Sequence, residues 1–195
     1  MRNIVSSVIA IVVITAFFGF GYPLVMTAFA QVAFSHQANG SLIKVNGKVV
    51  GSSLAAQGFT GKRYFHERPS ATAPAYNAGG TTFANLGPTN PDLAKNVKAA
   101  AAAILKLESP YNPGLTIGDI PVDAVTTSGS GIDPDISPAN AALQSRRIAA
   151  VRGLSLPKVQ QLIKQSTTGR SWGFFGEPGV NVLELNLALD KLGGK

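Results

Sequence analysis

The acidic side chains of this sequence are concentrated in one stretch, and they are its first candidates for chemistry. Between Leu107 and Ser145 every charged side chain is acidic, namely Glu108, Asp119, Asp123, Asp133 and Asp135. Because like charges together attract counter-ions, the stretch is a candidate for enriching cations at a surface, with Asp119, Asp123 and Asp133 as its main members. The alternative is that these side chains belong to ordinary solvated loops and helices in which charges of one sign are grouped.

A loop of small residues lies inside this acidic stretch. It consists of Ser128, Gly129, Ser130 and Gly131. Small residues and glycines allow the backbone to turn tightly or to approach a partner closely, so the loop is a candidate contact site for a partner or an ion entrance. It does not match the nucleophile motif of hydrolases, because that motif needs a glycine two positions before the serine, where Ser128 precedes Ser130.

The motifs of common catalytic and cofactor sites are absent from the sequence. There is no GxxxxGK[ST] phosphate loop, no HExxH zinc motif and no cysteine. The histidines His36 and His66 lie far apart, with no second ligand at metal spacing. Asp133 to Ser137 resembles the start of a calcium loop but lacks its central glycine. We therefore predict no catalytic residue and no metal site.

Basic side chains follow the acidic ones. All charged side chains between Ile136 and Gly176 are basic. The formal net charge of the whole chain is +7. A positive balance favours anionic partners, but these residues are not interleaved with aromatic side chains as binding to single-stranded nucleic acid requires. The sequence therefore predicts no nucleic-acid partner, and the basic stretch is a candidate docking face.

An apolar segment near the amino terminus is long enough to cross a membrane. Ile4 to Phe34 contains no charged residue, and about 20 apolar residues in a helix span a bilayer core. A cleaved secretory signal is the alternative, because Arg2 precedes the segment and Ala28-Phe29-Ala30 is a small-x-small cleavage pattern. Cleavage would release a free exported binding module. Since the apolar stretch from Ile4 to Phe20 already exceeds the apolar region of about 7–15 residues that is usual in a signal peptide, we predict an uncleaved anchor in contact with membrane lipids.

The anchor divides the chain into two predicted parts. Residues 1–34 form a short cytoplasmic tail and a transmembrane helix, and residues 35–195 form one extracytoplasmic α+β domain. The charges flanking the segment oppose each other, so the orientation rests on the short tail, which commonly stays inside while a long domain is exported. The predicted location is the plasma (inner) membrane, with a single span and a cytoplasmic amino terminus.

Periodicity and capping residues predict the elements that position the candidate residues. Asn46-Gly47 between two short apolar runs predicts a hairpin, and residues 68–90 read as a long ordered loop or a flexible linker. Three helices are predicted, at residues 91–107, 138–152 and 157–166. Strands are predicted at residues 120–127 and, from alternating leucines, at 183–190. The predicted fold is α+β, with a small sheet and about three helices after the transmembrane helix.

Ordered motifs along the whole chain resemble those of a known family. They are GYPLV at residues 21–25, QANGSLI at 37–43, RPSA at 68–71, NLGP at 85–88, PVDAVT at 121–126, SGSG at 128–131, GEP at 176–178 and NVLELNL at 181–187. In this order and spacing they resemble the C subunit of the Kdp-type potassium-transporting ATPase. The membrane segment takes part through Gly21, Tyr22 and Pro23.

The resemblance implies a non-catalytic accessory subunit of a complex that imports K⁺ at high affinity and uses ATP. The implied partners are a channel-like potassium-binding subunit, a P-type ATPase subunit and a small membrane peptide subunit. Members of the family are described as catalytic chaperones that raise the ATP affinity of the ATPase subunit, and Gln160 and Gln161 fall where a nucleotide-related motif has been proposed. Because ATP is cytoplasmic, a domain outside the cytoplasm could act on its binding only through the membrane parts.

Overall fold

The structure, a computed structural model, describes residues 2–193. The described chain divides into two compact units, one ending at Val50 and the other beginning at Gly51. The architecture is α+β, as the sequence predicts, with short strands and helices following a long apolar amino-terminal helix.

The first unit begins with a single long apolar helix. It comprises α1 (Arg2–Ala16), a π-helical turn (Phe17–Gly21) and α2 (Tyr22–Ala33). The whole helix, Arg2–Ala33, has a mean hydropathy of 2.4 in its most apolar window, and none of that window is buried inside the protein. Its length and composition are those of a membrane-spanning helix, in agreement with the predicted span.

The π-helical turn follows from the residues of the GYPLV motif. Pro23 has no amide hydrogen, so the regular hydrogen bond to the carbonyl four residues earlier cannot form there. Tyr22 donates its backbone N–H instead to the Phe17 carbonyl, five residues back. Gly19 and Gly21 lie within the widened turn, where π-turns of this kind bend a helix without breaking it. Gly21, Tyr22 and Pro23 therefore shape the anchor helix.

A short helix and the predicted hairpin follow the anchor. Helix α3 (Ser35–Ala38) leads into β1 (Leu42–Val45) and β2 (Lys48–Ser52), which pair with each other. The two residues of the turn, Asn46 and Gly47, have φ of 51° and 78°. Positive φ at both central positions is what a type I′ turn requires, so the hairpin prediction is confirmed with its mechanism.

The second unit contains the remaining elements. They are α4 (Pro91–Glu108), a 3-10 turn (Ile117–Asp119), α5 (Val122–Val125), β3 (Asp135–Ile136), α6 (Pro138–Arg152), α7 (Leu156–Gln165), β4 (Thr167–Thr168), β5 (Gly179–Asn181) and α8 (Val182–Lys191). The three short strands form one antiparallel sheet in the order β3-β5-β4, with Ile136 opposite Val180 and Val180 opposite Thr167.

The three helices predicted from capping residues are confirmed to within a residue at each end. The Asn90 side chain accepts from the backbone N–H of Asp92 at the start of α4, and Ser137 accepts from that of Asn140 at the start of α6. Gly153 ends α6 in the left-handed conformation, with φ of 66°.

The core of the second unit lies where α6, α7 and α8 pack on the central strand β5. Its buried side chains are Phe65, Ile136, Ala141, Ile148, Ala149, Val159, Ile163, Val180, Val182, Leu185 and Leu189. Phe65 belongs to this cluster although it comes from the loop before α4, and it is fully buried. Burying a side chain of this size contributes about 1.5–3 kcal/mol, so the core holds the segment around Phe65 against the helices.

The strand predicted at residues 183–190 is wrong, because the structure forms α8 there. The alternating leucines also satisfy a helical pattern, in which Val182, Leu185 and Leu189 share one buried face. The Asn181 side chain accepts from the backbone N–H of Glu184 and caps the helix. The cap and the helix propensity of leucine, alanine and glutamate together outweigh the preference for a strand that the alternating pattern indicates.

The strand predicted at residues 120–127 is also wrong. Its centre is the single helical turn α5, preceded by the 3-10 turn. Pro121 stands at the N-cap with φ of −60°, and proline at the start of a helix lacks only a donor that would be unpaired anyway. The β-branched residues that suggested a strand are therefore placed in a turn that brings Asp123 towards α6.

Candidate functional site

A buried arginine organises the interior of the second unit. Arg147 on α6 is fully buried, and its Nε donates to Glu108 Oε1 at 2.7 Å. Its Nη1 donates to the backbone carbonyls of Lys62 and Tyr64, and its Nη2 donates to Gln144 Oε1 at 2.9 Å. One guanidinium thus joins the end of α4, helix α6 and the segment before Phe65.

Other side chains from α6 and α8 hold the same segment, residues 62–66, which we call the clamped segment. Asn186 accepts from the Phe65 backbone N–H at 2.8 Å and donates to the Phe65 carbonyl at 3.0 Å. Gln144 does the same for His66, and Arg152 donates to the Arg63 carbonyl at 2.7 Å. Since buried backbone groups need partners, these side chains replace a neighbouring strand.

Asp123 has a structural position beside the start of α6. Its carboxylate accepts from the backbone N–H of Ser137 at 2.9 Å, from the Ser137 hydroxyl at 2.8 Å and from Asn140 Nδ2 at 3.0 Å. A carboxylate near a helix N-terminus is also favoured by the helix dipole. Asp123 therefore fixes α5 against α6.

Asp123→Asn should destabilise the second unit, because the new amide places donors against the donors of Ser137. We expect a loss of about 1–3 kcal/mol in the free energy of unfolding, measured by urea titration of the full chain in detergent with circular dichroism. Asp119→Asn, on the exposed 3-10 turn, is the control and should cost less. Equal losses for the two variants would contradict the assigned role of Asp123.

The other two aspartates of the predicted cation surface also have protein partners. Asp119 accepts from the Thr116 backbone N–H and hydroxyl, and this bonding lowers the pKa of its carboxyl group. Asp133 pairs with Arg68 at 3.0 Å. Within residues 2–193, no group of three or more His, Asp or Glu side chains is arranged to hold a metal ion. The structure therefore leaves the cation surface a prediction, with its three aspartates in separate structural contacts.

The loop of small residues packs against the preceding long loop. Gly131 donates its N–H to Ser128 Oγ at 2.8 Å and accepts from Ser70 Oγ at 2.6 Å. The Thr82 backbone N–H donates to the Ser130 carbonyl at 3.1 Å. Gly129 and Ser130 are exposed, while Ser128 and Gly131 are buried. The loop thus has an inner side that joins two segments and an outer side open to a partner.

The two glutamines of the proposed nucleotide motif are exposed neighbours on α7. On this helix Val159 and Ile163 are buried, whereas Gln160 and Gln161 are exposed. The helix has the strong segregation of polar and apolar side chains expected of a surface helix. Neither glutamine lines the cavity described next.

A cavity of about 350 Å³ lies in the second unit between α4, α6 and the segment from Phe59 to Pro69. Its lining is largely apolar, with Ile104 and Leu143 among its walls. Its acidic members are Glu67 and Glu108, which are 8% and 2% exposed. Burial raises the pKa of Glu108 more than Arg147 lowers it.

Glu67 and His66 have shifted pKa values in this environment. Burial raises the pKa of Glu67 from 4.5 to about 7, although its carboxylate accepts from the backbone N–H groups of Gln57 and Phe59. Burial lowers the pKa of His66, whose Nε2 lies 3.0 Å from the Gly61 carbonyl. Burial disfavours the charged form of both groups.

The raised pKa of Glu67 should make the protein less stable as pH rises from about 4.5 to about 7. In that window the unfolded state has already lost the proton that the folded state keeps, so ionisation favours unfolding. The loss should reach up to about 3 kcal/mol, since one pKa unit is about 1.4 kcal/mol. His66, with its lowered pKa, acts in the opposite direction.

The comparison with Glu67→Gln separates the two groups, because His66 is common to both proteins. Urea titrations across this pH range should show the difference in stability between the original protein and the variant changing with pH. Parallel curves would show that Glu67 does not titrate there.

An exposed aromatic tip, which sequence reasoning overlooked, projects between β4 and β5. Trp172, Phe174 and Phe175 are 87%, 62% and 60% exposed. The tip is closed by a bridge between Ser171 and Phe175 and by a salt bridge of 2.6 Å between Arg170 and Glu177. The only tryptophan of the chain, with two phenylalanines in a polar stretch, was a signal that could have identified it.

Comparisons with known proteins cover nearly the entire chain. The family model described as KdpC, K⁺-transporting ATPase, c chain, matches residues 4–191. A potassium-transporting ATPase KdpC subunit of Methylococcus capsulatus is 52% identical over 95% of this chain and 96% of its own length. Those of Sorangium cellulosum and Koribacter versatilis are 51% and 48% identical, each over 97% of this chain and over 98% and 94% of their own lengths.

Proposed function

This chain belongs to the KdpC family, the c chains of K⁺-transporting ATPases, and is an accessory rather than the catalytic subunit of such an enzyme; we propose that it stabilises an ATP-driven complex that imports K⁺ at high affinity. The observation that carries the proposal is the match over residues 4–191. The apolar helix Arg2–Ala33 supports a position in the membrane with the other subunits.

The proposed topology places the amino terminus in the cytoplasm and the folded unit outside it, in the plasma (inner) membrane. Lys62 and Lys158 are exposed and suit a labelling test. A membrane-impermeant amine reagent should modify both in intact spheroplasts. Modification only after permeabilisation would reverse the topology.

The proposed partners are a channel-like potassium-binding subunit, a P-type ATPase subunit and a small membrane peptide subunit. K⁺ uptake from low external K⁺ tests this role directly. Cells that lack this chain should lose uptake and the co-purification of the other subunits, and the full chain should restore both. Normal uptake and assembly without the chain would reject the proposal.

The chain is further proposed to raise the ATP affinity of the ATPase subunit. Gln160 and Gln161 do not line the cavity between α4 and α6, and we propose that the coupling runs through the membrane parts without direct contact between these side chains and ATP. The apparent KM for ATP should rise when the chain is omitted from the purified complex. Gln160→Ala with Gln161→Ala should leave that KM unchanged, and a rise would favour direct contact.

The exposed aromatic tip is the proposed docking point for the channel-like subunit. Aromatic side chains on a closed hairpin provide large contact areas with little loss of conformational freedom, and tryptophan is enriched in binding hot spots. Trp172→Ser with Phe174→Ser should lower co-purification of that subunit by about tenfold or more, the equivalent of about 1.4 kcal/mol. Val122→Ser, at another exposed apolar residue, is the control.

Circular dichroism must show the tip variant folded, since both side chains are exposed and should contribute little to the core. Unchanged co-purification would remove the tip as a docking point. A loss of binding to vesicles of anionic lipid, with assembly unaffected, would assign it to the membrane surface instead.

The acidic stretch is proposed to enrich cations near the ion entrance beside the loop of Ser128, Gly129, Ser130 and Gly131. Asp119 is the suitable probe because it is exposed, whereas Asp123 and Asp133 hold other segments in place. Asp119→Asn should lower K⁺ uptake at low ionic strength and have less effect at physiological salt, where screening acts within about 8 Å. If the Asp119→Asn variant and the original protein supported equal K⁺ uptake at low ionic strength, this part of the proposal would be refuted.

A further inference from the structure

The cavity between α4 and α6 contains a buried carboxylate oxygen without a protein partner. Glu108 lines the cavity and is 2% exposed. Its Oε1 accepts from Arg147 at 2.7 Å, whereas its Oε2 is buried with no hydrogen-bond partner among residues 2–193. Buried polar atoms are nearly always paired, so this oxygen points to a donor supplied from outside the chain.

Charge restricts what that donor can be. The lining contains Glu67 and Glu108 but no lysine or arginine. Arg147 lies behind Glu108 and is committed to the carbonyls of Lys62 and Tyr64 and to Gln144, so it is not available to a ligand. The other polar lining residues are Thr60, His66, Tyr76, Asn140 and Gln144. All of these except Thr60 have side chains that form hydrogen bonds within the protein, and none of the five is a lysine or an arginine. The cavity therefore favours a positively charged donor over an anion.

The remainder of the lining restricts the body of the ligand. Apolar side chains form most of the wall, among them Phe59, Ala103, Ile104, Leu107 and Leu143. A metal ion or K⁺ needs several oxygen ligands, and the oxygens of Glu67, Asn140 and Gln144 in this wall already accept hydrogen bonds within the protein. Ligand sites of this size are lined mainly by apolar side chains with a few polar groups that orient the ligand.

We propose that this cavity binds a small primary ammonium compound, with its charged end on Glu108 Oε2 and its apolar stem between α4 and α6. The site is separate from the subunit contacts proposed above and does not depend on them. It would give the chain a means of responding to an organic amine, in addition to its part in K⁺ import.

Titration calorimetry of the full chain in non-ionic detergent, with n-butylammonium chloride as the probe, tests the proposal. We expect saturable binding of one equivalent, with a dissociation constant that is about millimolar or lower for so small a ligand. 1-Butanol has the stem without the charge, and KCl has a monovalent cation without the stem. Both should bind at least about tenfold more weakly, which corresponds to the loss of one good interaction.

Two neighbouring alanines on α4 provide a matched pair of variants. Ala103 lines the cavity and Ala102 does not, and both are exposed on the same helix. Ala103→Phe should abolish binding of butylammonium by filling the cavity, while Ala102→Phe should leave it unchanged. Glu108→Gln should also abolish binding, and the alanine pair decides the matter if that variant does not fold.

Three outcomes would overturn the proposal. The first is the absence of saturable binding, which would indicate that water alone bonds to Glu108 Oε2. The second is butanol binding as tightly as butylammonium, which would remove the role of Glu108. The third is equal binding to the two alanine variants, which would place the amine elsewhere on the protein or in the detergent.

Discussion

Replacing Arg147 with methionine should lower the free energy of unfolding by about 3–5 kcal/mol. The side chain is fully buried, and its removal leaves Glu108 without its counter-charge and the Lys62 and Tyr64 carbonyls without donors. Methionine is similar in length but carries no donor. Urea titration of the full chain in detergent, followed by circular dichroism, measures the loss.

The adjacent arginine is a matched control. Arg146 is exposed on the same helix, so Arg146→Met should change stability by less than about 0.5 kcal/mol. Arg147→Met combined with Glu108→Leu should cost less than the sum of the two single losses, because the double variant leaves no uncompensated charge. Additive losses would show that Glu108 and Arg147 are not coupled.

Local signals in the sequence predicted the elements whose causes are local. The hairpin follows from the two positive-φ residues Asn46 and Gly47, and the helices α4 and α6 begin at side-chain caps that lie within three residues of their partners. The apolar helix was predictable for the same reason, since its length and composition are contained in one uninterrupted run.

The wrong predictions arose where two local patterns competed and a tertiary contact decided. Alternating leucines fit both a strand and the buried face of α8, and the choice depends on the Asn181 cap and on β5 ending at that residue. At residues 120–127, β-branched side chains indicated a strand, but the Asp123 carboxylate bonded to Ser137 favours a turn. Periodicity alone does not contain this information.

The buried network around the clamped segment was not predictable from spacing. Glu108 and Arg147 are 39 positions apart, and Asn186 and Phe65 are 121 apart. Nothing near either partner indicates that residues 62–66 take their hydrogen bonds from side chains instead of a strand. The acidic stretch was visible as composition, but the partners of its three aspartates, which make each a structural residue, were not.

Substituting alanine for Gly131 should cost about 2–4 kcal/mol, from a strained backbone and overpacking together. Gly131 has φ of +72°, and an added Cβ would lie 2.7 Å from the Thr82 carbonyl oxygen and 2.8 Å from Thr72 Cγ2. Both neighbours belong to the long loop after residue 68, so the clash would separate that loop from residues 128–131. Urea titration as above measures the loss.

Gly129→Ala is the control within the same motif, and it separates a structural role of the loop from a contact role. An added Cβ at Gly129 meets nothing within 4 Å and the residue is exposed, so stability should change by less than about 0.5 kcal/mol. Equal losses at the two glycines would contradict the packing described here. Because Gly129→Ala leaves the fold intact, any fall in K⁺ uptake that it causes must come from the outer side of the loop, where a partner subunit would make contact. Unchanged K⁺ uptake by Gly129→Ala would indicate that residues 128–131 serve only to hold the two loops together.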